Sequence, residues 1–232
     1  MITVRKSAER GTTRIGWLDS RHSFSFGDYY DAKHVHFGPL RVINEDWIAG
    51  GGGFAPHGHR DMEIVTYLVD GALQHQDSSG GGGIIRPGEI QRMSAGRGIV
   101  HSEFNASPER TAHLLQIWIV PSKEGLEPSY EQKTIEPQAV HNRFARIAAP
   151  DPTDSEVRIV QDAEIWAGKF EAGNQANHAL GRGRRAWLQL VSGELFVGDQ
   201  TLTAGDAAAI TDAESVNLRA IKPSEVLLFD MA

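Results

Sequence analysis

With 232 residues the chain is long enough for one large all-β domain or two modules of about 100 residues each. A formal charge of −7 with no basic stripe excludes a non-specific nucleic-acid surface, and an apolar content of 40% excludes long disorder. No cysteine is present, so disulfides, thiolate metal sites and cysteine nucleophiles are ruled out, and any metal must be held by His, Asp or Glu.

Taken from the N-terminus, MITVRKSAERGTT carries no apolar signal segment, and no apolar run reaches the roughly 18 residues of a membrane helix. A cytoplasmic protein with no membrane partner is the expectation. Short runs rich in Val, Ile, Leu, Trp and Tyr then alternate with Gly, Pro, Asp and Asn, which is the pattern of β-sandwiches and barrels. Strands are predicted near Leu40–Ile43, Glu63–Leu68, Leu73–Gln76, Gln91–Ser94 and His113–Val120, and then near Arg158–Gln161, Ala163–Phe170, Ala186–Val191, Glu194–Val197 and Val226–Phe229. Between them, PSKEGLEPSYEQKTIEPQA, from Pro121 to Ala139, holds three prolines, many charges and few apolar residues. That shift predicts a domain boundary, with residues 1–125 and 126–232 as the two β-domains.

The two halves also resemble each other. EIVTYLVDG, starting at Glu63, can be laid on RAWLQLVSG, starting at Arg185, and a hairpin-like strand follows each. Further on, PGEI at Pro87 aligns with AGDA at Ala204, so one module is used twice. In this alignment His57 falls on Ala179, His59 on Gly181, Glu63 on Arg185, His101 on Leu218 and Glu103 on Ala220. The second copy has none of the first copy's candidate ligands.

Those ligands come as two pairs. In GGGGFAPHGHRDME, His57 and His59 stand two residues apart, so on an extended strand both point to one side, separated by roughly 6 to 7 Å of backbone rise. In SAGRGIVHSEFN, His101 and Glu103 repeat that spacing after another glycine-rich turn. On adjacent strands the two pairs place three imidazoles and one carboxylate around one centre, a set that suits Fe, Ni, Cu or Zn and leaves open positions on an octahedral ion. Glu63 is read as a buried carboxylate with its own hydrogen-bond partner or as a group orienting a ligand histidine, in preference to a ligand itself. His34 and His36 have the same spacing but neither a glycine run nor a partner segment, and are left out. His75 is read as a hairpin residue, His113 as part of a core strand near the site, and His22, His141 and His178 as lying in polar or loop contexts.

These stretches carry a family resemblance. Gly51, His57, His59 and Glu63 fall in step with the first cupin motif, with Gly71 one position late. Gly98, His101 and Asn105 match the later part of the second motif, where Gly96 replaces a proline. GWLDSRHSFSFGDYYD, LRVINED, HQDS, LLQIWIVP and the closing VLLFD extend the likeness along the chain, which resembles the pirin family throughout. The resemblance implies an all-β bicupin: two β-barrel (jelly-roll) domains facing each other, with metal only in the N-terminal one. It further implies His57, His59, His101 and Glu103 as metal ligands, which selects the carboxylate of the second motif over Glu63.

Two function classes attach to that family. One is quercetin 2,3-dioxygenase activity, in which dioxygen opens the heterocyclic ring of the flavonol and carbon monoxide leaves. The other is a non-catalytic iron-dependent regulator that binds a partner protein. A cupin that isomerises or binds a sugar ranks third, since it does not require this ligand set. The dioxygenase is the expectation, with a flavonol and dioxygen as substrates and one divalent ion. Fe(II) comes first, and Ni, Co, Mn, Cu or Zn is compatible. Glu103 is the group placed to accept the flavonol 3-hydroxyl proton. Phe24, Phe26, Phe54 and Trp118 are candidate apolar walls, while Ser23, Ser25 and Ser102 lack the surroundings of an activated serine. For a regulatory surface the sequence offers only the cluster Arg182, Arg184 and Arg185 and the acidic balance.

Overall fold

A computed structural model describes residues 1–232, and the chain is an all-β bicupin. Two compact units emerge from the contacts. The first contains Gly11–Thr134 and Pro150–Gln161; the second contains Met1–Arg10, Ile135–Ala149 and Asp162–Ala232. Residues 126–134, residues 150–161 and the first ten residues therefore fall on the other side of the boundary expected at residue 125.

In the first unit an antiparallel sheet of seven strands runs in the order Ser129–Thr134, Glu89–Ser94, Glu63–Asp70, Ala112–Ile119, Leu40–Ile48, Leu18–His22, Gly11–Ile15. A second antiparallel sheet runs Gly53–His59, Ile99–Asn105, Leu73–Asp77, Gly82–Ile85. Leu18, Ile48, Leu68 and Leu114 from the large sheet pack with Leu73 and Ile85 from the small one, and all are nearly free of solvent. Each such side chain contributes about 2 kcal/mol by leaving water, so truncating Leu114 to Ala in this close-packed cluster should cost about 2–5 kcal/mol.

The expected linker contains a strand. Ser129–Thr134 pairs with Glu89–Ser94 at the sheet edge, where polar side chains are tolerated because one flank remains wet. It is pinned by Arg92 bonding Glu131 at 2.6 Å and by Tyr130 stacking on His75. The strand expected at Arg158–Gln161 shrinks to Val157–Arg158, and Ile159–Gln161 is irregular. Its apolar residues gave the strand signal, but Ile159 spends its burial on packing without a ladder.

The second unit repeats the layout. Its large sheet contains, in order, Ile2–Arg5, Ala207–Ile210, Arg185–Ser192, Ser224–Met231, Ala163–Phe170 and Phe144–Ala149, and its small sheet runs Gln175–Ala179, Ser215–Ala220, Glu194–Val197, Gln200–Thr203. Glu63–Asp70 and Arg185–Ser192, the segments aligned by sequence, each hold the third place in their sheet. Leu218 and Ala220, aligned with His101 and Glu103, lie in the hydrocarbon core of this unit with Val216 and Leu188. No helix is long and apolar enough to cross a membrane.

Candidate metal centre

Both clusters of three potential metal-ligating side chains belong to the first unit. They sit where Gly53–His59 and Ile99–Asn105 run side by side. Along the latter strand Ile99, His101, Glu103 and Asn105 are buried while Val100 and Phe104 are exposed, so the period of two turns His101 and Glu103 inward. The ladder sets His101 directly opposite His57 and Ile99 opposite His59. A shift of register between His101 and Glu103 then re-aims the carboxylate, the usual effect of a bulge. The opening glycine is required here: a Cβ on Gly53 would lie 2.4 Å from the carbonyl oxygen of Glu103, so any side chain would push the two strands apart.

The ring centroids of His57, His59 and His101 are 4.5, 4.8 and 4.8 Å apart, and their ligand nitrogens lie within 4.8 Å of one another. His57 donates Nδ1–H to the carbonyl of Ala55 at 2.8 Å, which leaves the Nε2 lone pair facing His101 Nε2 at 3.1 Å. Two imidazole nitrogens bound to one ion at ~2.1 Å and at right angles are ~3.0 Å apart, so this separation fits a shared cation. His59 is held edge-on against Trp118, with ring centres 4.9 Å apart. Burial, reinforced by the neighbouring His57, lowers the pKa of His59 to about 4, and burial with the surrounding rings lowers that of His101 to about 3. Both rings are thus neutral at neutral pH and offer lone pairs.

Glu103 falls in the second cluster, with His101 and His75. Gln116 Nε2 donates to Glu103 Oε2 at 2.8 Å, and Thr66 turns that amide by donating to Gln116 Oε1 at 3.1 Å. Despite these bonds, burial raises the carboxyl to about 7, helped by the charge of Asp46. Asp46 is itself raised to about 7 by burial. A cavity of about 200 Å³ opens in front of this group, with the three histidines and Glu103 along one side. Leu18, Phe26, Phe54, Ile64 and Trp118 form apolar walls, and Ser20, His22, Asn44 and Asp46 form a polar end.

Residues 3–119 match the pirin family, and residues 146–231 match the quercetinase C-terminal cupin domain. The chain belongs to the pirin family. Among its relatives, quercetin 2,3-dioxygenase of Escherichia coli K12 is 42% identical, covering 100% of this pirin and 99% of the relative. The crystal structure of YhhW from Escherichia coli superposes with a TM-score of 0.96 at 41% identity, over 100% of this chain and 98% of that one. A second structure, bacterial pirin YhhW in complex with nickel(II), gives a TM-score of 0.94 at 42% identity, over 100% and 99% of the two chains.

Against the sequence expectations, the pirin structure brings His57, His59 and His101 together and sets Glu103 beside them in the same cavity. Glu63 is a buried carboxylate satisfied by Ser94 Oγ at 2.7 and 2.8 Å, and does not line the cavity. Phe26, Phe54 and Trp118 line it, whereas Phe24 is packed in the core. Neither Ser23, Ser25 nor Ser102 reaches it. His34 bonds Asp31 and His113 bonds Glu45, both away from the cavity. His178, expected in a loop or polar context, is a strand residue bonded to Asp230.

Three participants escaped the sequence reading. His22 is no loop residue: it lies buried on a strand at the cavity, donating Nδ1–H to Asn44 Oδ1 and accepting from Thr13. Gln116 had no motif to mark it. His75, read as a hairpin residue, is wholly buried 3.4 Å from His101, and the spacing of two between His75 and Asp77 was the signal that could have found it.

Proposed function

We propose that this pirin is a metal-dependent dioxygenase that opens the heterocyclic ring of a flavonol such as quercetin with dioxygen and releases carbon monoxide. The observation that carries the reading is the convergence of three imidazoles, with the buried carboxyl of Glu103 beside His101, on an aromatic-walled cavity. The names of the relatives point the same way. His57, His59 and His101 would hold the ion, with Glu103 as the fourth ligand. Fe(II) suits this nitrogen and oxygen set, and nickel(II) was the ion bound by the Escherichia coli relative. When bound, the ion supplies Lewis acidity toward the flavonol 3-oxygen and an open position for dioxygen.

The protein groups do the rest. Phe26, Phe54 and Trp118 sandwich a planar aromatic ligand and exclude water. Glu103, anchored through Oε2 by Gln116, takes the proton of the flavonol 3-hydroxyl and returns it to the carboxylate of the opened product. A carboxyl with a pKa of about 7 is matched to that task at neutral pH, because it can both accept and release the proton.

The test is anaerobic reconstitution with Fe(II), quantitation of metal per chain, then addition of quercetin and air while following flavonol absorbance and carbon monoxide. About one metal per chain with metal-dependent release of carbon monoxide is the expected result. Metal uptake without turnover would reject the activity, retain the site, and favour the regulatory role.

A further inference from the structure

Behind the three histidines runs a buried chain of groups that the proposed reaction does not use. Asp77 lies directly opposite His101 across the ladder, and His75 opposite Glu103. The side chains of His75 and Asp77 have no solvent exposure. Asp77 Oδ1 accepts from the backbone N–H of Ser79 at 2.8 Å, from the Ser79 hydroxyl at 2.6 Å and from the N–H of Gly81 at 3.0 Å. Its other oxygen, Oδ2, is 3.0 Å from His75 Nε2. Gly81 must be glycine for this contact, since a Cβ there would lie 2.4 Å from Asp77 Oδ2.

A carboxylate cradled by donors is an acceptor, so His75 Nε2 carries the hydrogen and Nδ1 is left with a lone pair. An independent contact agrees: Gln91 directs its amide nitrogen, a donor, at His75 Nδ1 from 3.5 Å. The remaining neighbour of His75 Nδ1 is His101 Nδ1, at 3.4 Å. Two ring nitrogens at that distance are compatible only if one carries the hydrogen, and His75 Nδ1 cannot. By the same rule the Nε2 atoms of His57 and His101, which face each other at 3.1 Å, can both be bare only with a cation between them. Stacking on Tyr130, with ring centres 4.9 Å apart and planes at 23°, fixes the orientation of the His75 ring.

We infer that His75 is a positioning residue: the buried run Asp77, His75, His101 keeps the hydrogen of His101 on Nδ1, so that its Nε2 lone pair always faces the point where His57, His59 and His101 converge. Tying down the far nitrogen of a ligand histidine fixes its tautomer and strengthens it as a donor to the ion. Here the anchor is itself a histidine, tied in turn to a carboxylate. His57 is fixed in the same sense by a plain backbone carbonyl, so the two neighbouring ligands reach one tautomer by different routes. The hydrogen on His101 Nδ1 and its consequence for metal binding both rest on the metal-site reading above, while the tautomer of His75 does not.

Long-range proton–nitrogen correlation spectra of the Zn(II)-loaded full chain, labelled with nitrogen-15 in histidine, read the tautomers directly. The expected result is a bare Nδ1 with protonated Nε2 on His75, and on His101 a protonated Nδ1 with Zn(II) bound through Nε2. A protonated Nδ1 on His75, or a bare Nδ1 on His101, overturns the inference. Two variants add the energetic readout by competition with a chelator for Zn(II). His75→Leu removes the acceptor and is expected to weaken Zn(II) binding by about 10- to 100-fold. His75→Asn keeps an acceptor oxygen near the position of Nδ1 and is expected to recover most of that loss; equal losses in both would reduce His75 to a packing role and refute the assignment. Wild-type protein that takes up no Zn(II) would sink the metal-site reading and the His101 assignment that rests on it, whereas Zn(II) uptake with a protonated Nδ1 on His75 would sink the positioning role alone.

Discussion

Glu103→Gln separates the proton chemistry of the centre from its shape. The substitution keeps the side-chain length and an oxygen for Gln116 to donate to, and removes the titrating group. In the metal-free protein burial holds the Glu103 carboxyl at about 7. Below that pH an incoming ion must displace a proton from Glu103, which costs about tenfold in affinity, ~1.4 kcal/mol, for each pH unit. The three histidines are common to both proteins and cancel in the comparison. The ratio of wild-type to Glu103→Gln affinity is therefore expected to be constant above pH 7 and to fall about tenfold by pH 6, tending to hundredfold by pH 5. Competition with a chelator for Zn(II) or Ni(II), from about pH 5.5 to about pH 8.5, measures that ratio. A ratio independent of pH over this range would show that Glu103 does not bind the ion as a carboxylate, and would remove it from the ligand set.

The same shift has a consequence for stability. A carboxyl raised from 4.5 to about 7 on folding costs nothing below pH 4.5, costs more as pH rises between those values, and costs about 3 kcal/mol above pH 7. Metal-free Glu103→Gln should thus outlast wild type in urea unfolding at about pH 8 and match it at about pH 4.5; equal stability at both would count against the raised value. His57→Ala and His101→Ala are expected to lose bound metal sharply, whereas His34→Ala and His36→Ala keep it, as metal quantitation per chain would show. Phe26→Ala, at the apolar wall, is expected to raise KM for quercetin about tenfold with metal content unchanged, since it removes an aromatic contact worth about 1–2 kcal/mol. Gly53→Ala forces a Cβ against Glu103 and should lower both the thermal midpoint and metal affinity; a wild-type midpoint would show that the strands can part without loss.

Much of this architecture could be read from residues alone. Strand segments with strong apolar runs, such as Glu63–Asp70 and Ala112–Ile119, announce themselves because they are buried on both faces. Edge strands do not. Ser129–Thr134 and Gly11–Ile15 are half wet, carry polar residues, and read as linker or loop. Within the site, the two spaced pairs were legible because candidate ligands that approach one point from one strand recur with a period of two and need glycine where strands approach closely. His75 and Gln116 were not, since their roles depend on which strands neighbour Ile99–Asn105 and Ala112–Ile119, and a hairpin histidine or a strand glutamine has no local mark. The second copy of the module was recognisable by the strand it shares with the first, and its loss of ligands is the reverse face of its apolar core, where Leu218 and Ala220 fill the space.

The pairing of Ile2–Arg5 with Ala207–Ile210 also orders events in time. During synthesis the first strand leaves the ribosome long before its partner exists, because Ile2 lies opposite Ile210 in the finished ladder. Gly11–Thr134, by contrast, holds all eleven strands of its own two sheets and can close on itself while the remainder is still being made. Ile2–Arg5 must wait unpaired until Ala207–Ile210 has been made, and the charged run Arg5, Lys6, Glu9 and Arg10 helps to keep such a segment from sticking to other nascent chains. The histidine centre, all of whose residues precede Asn105, is therefore complete before that ladder closes.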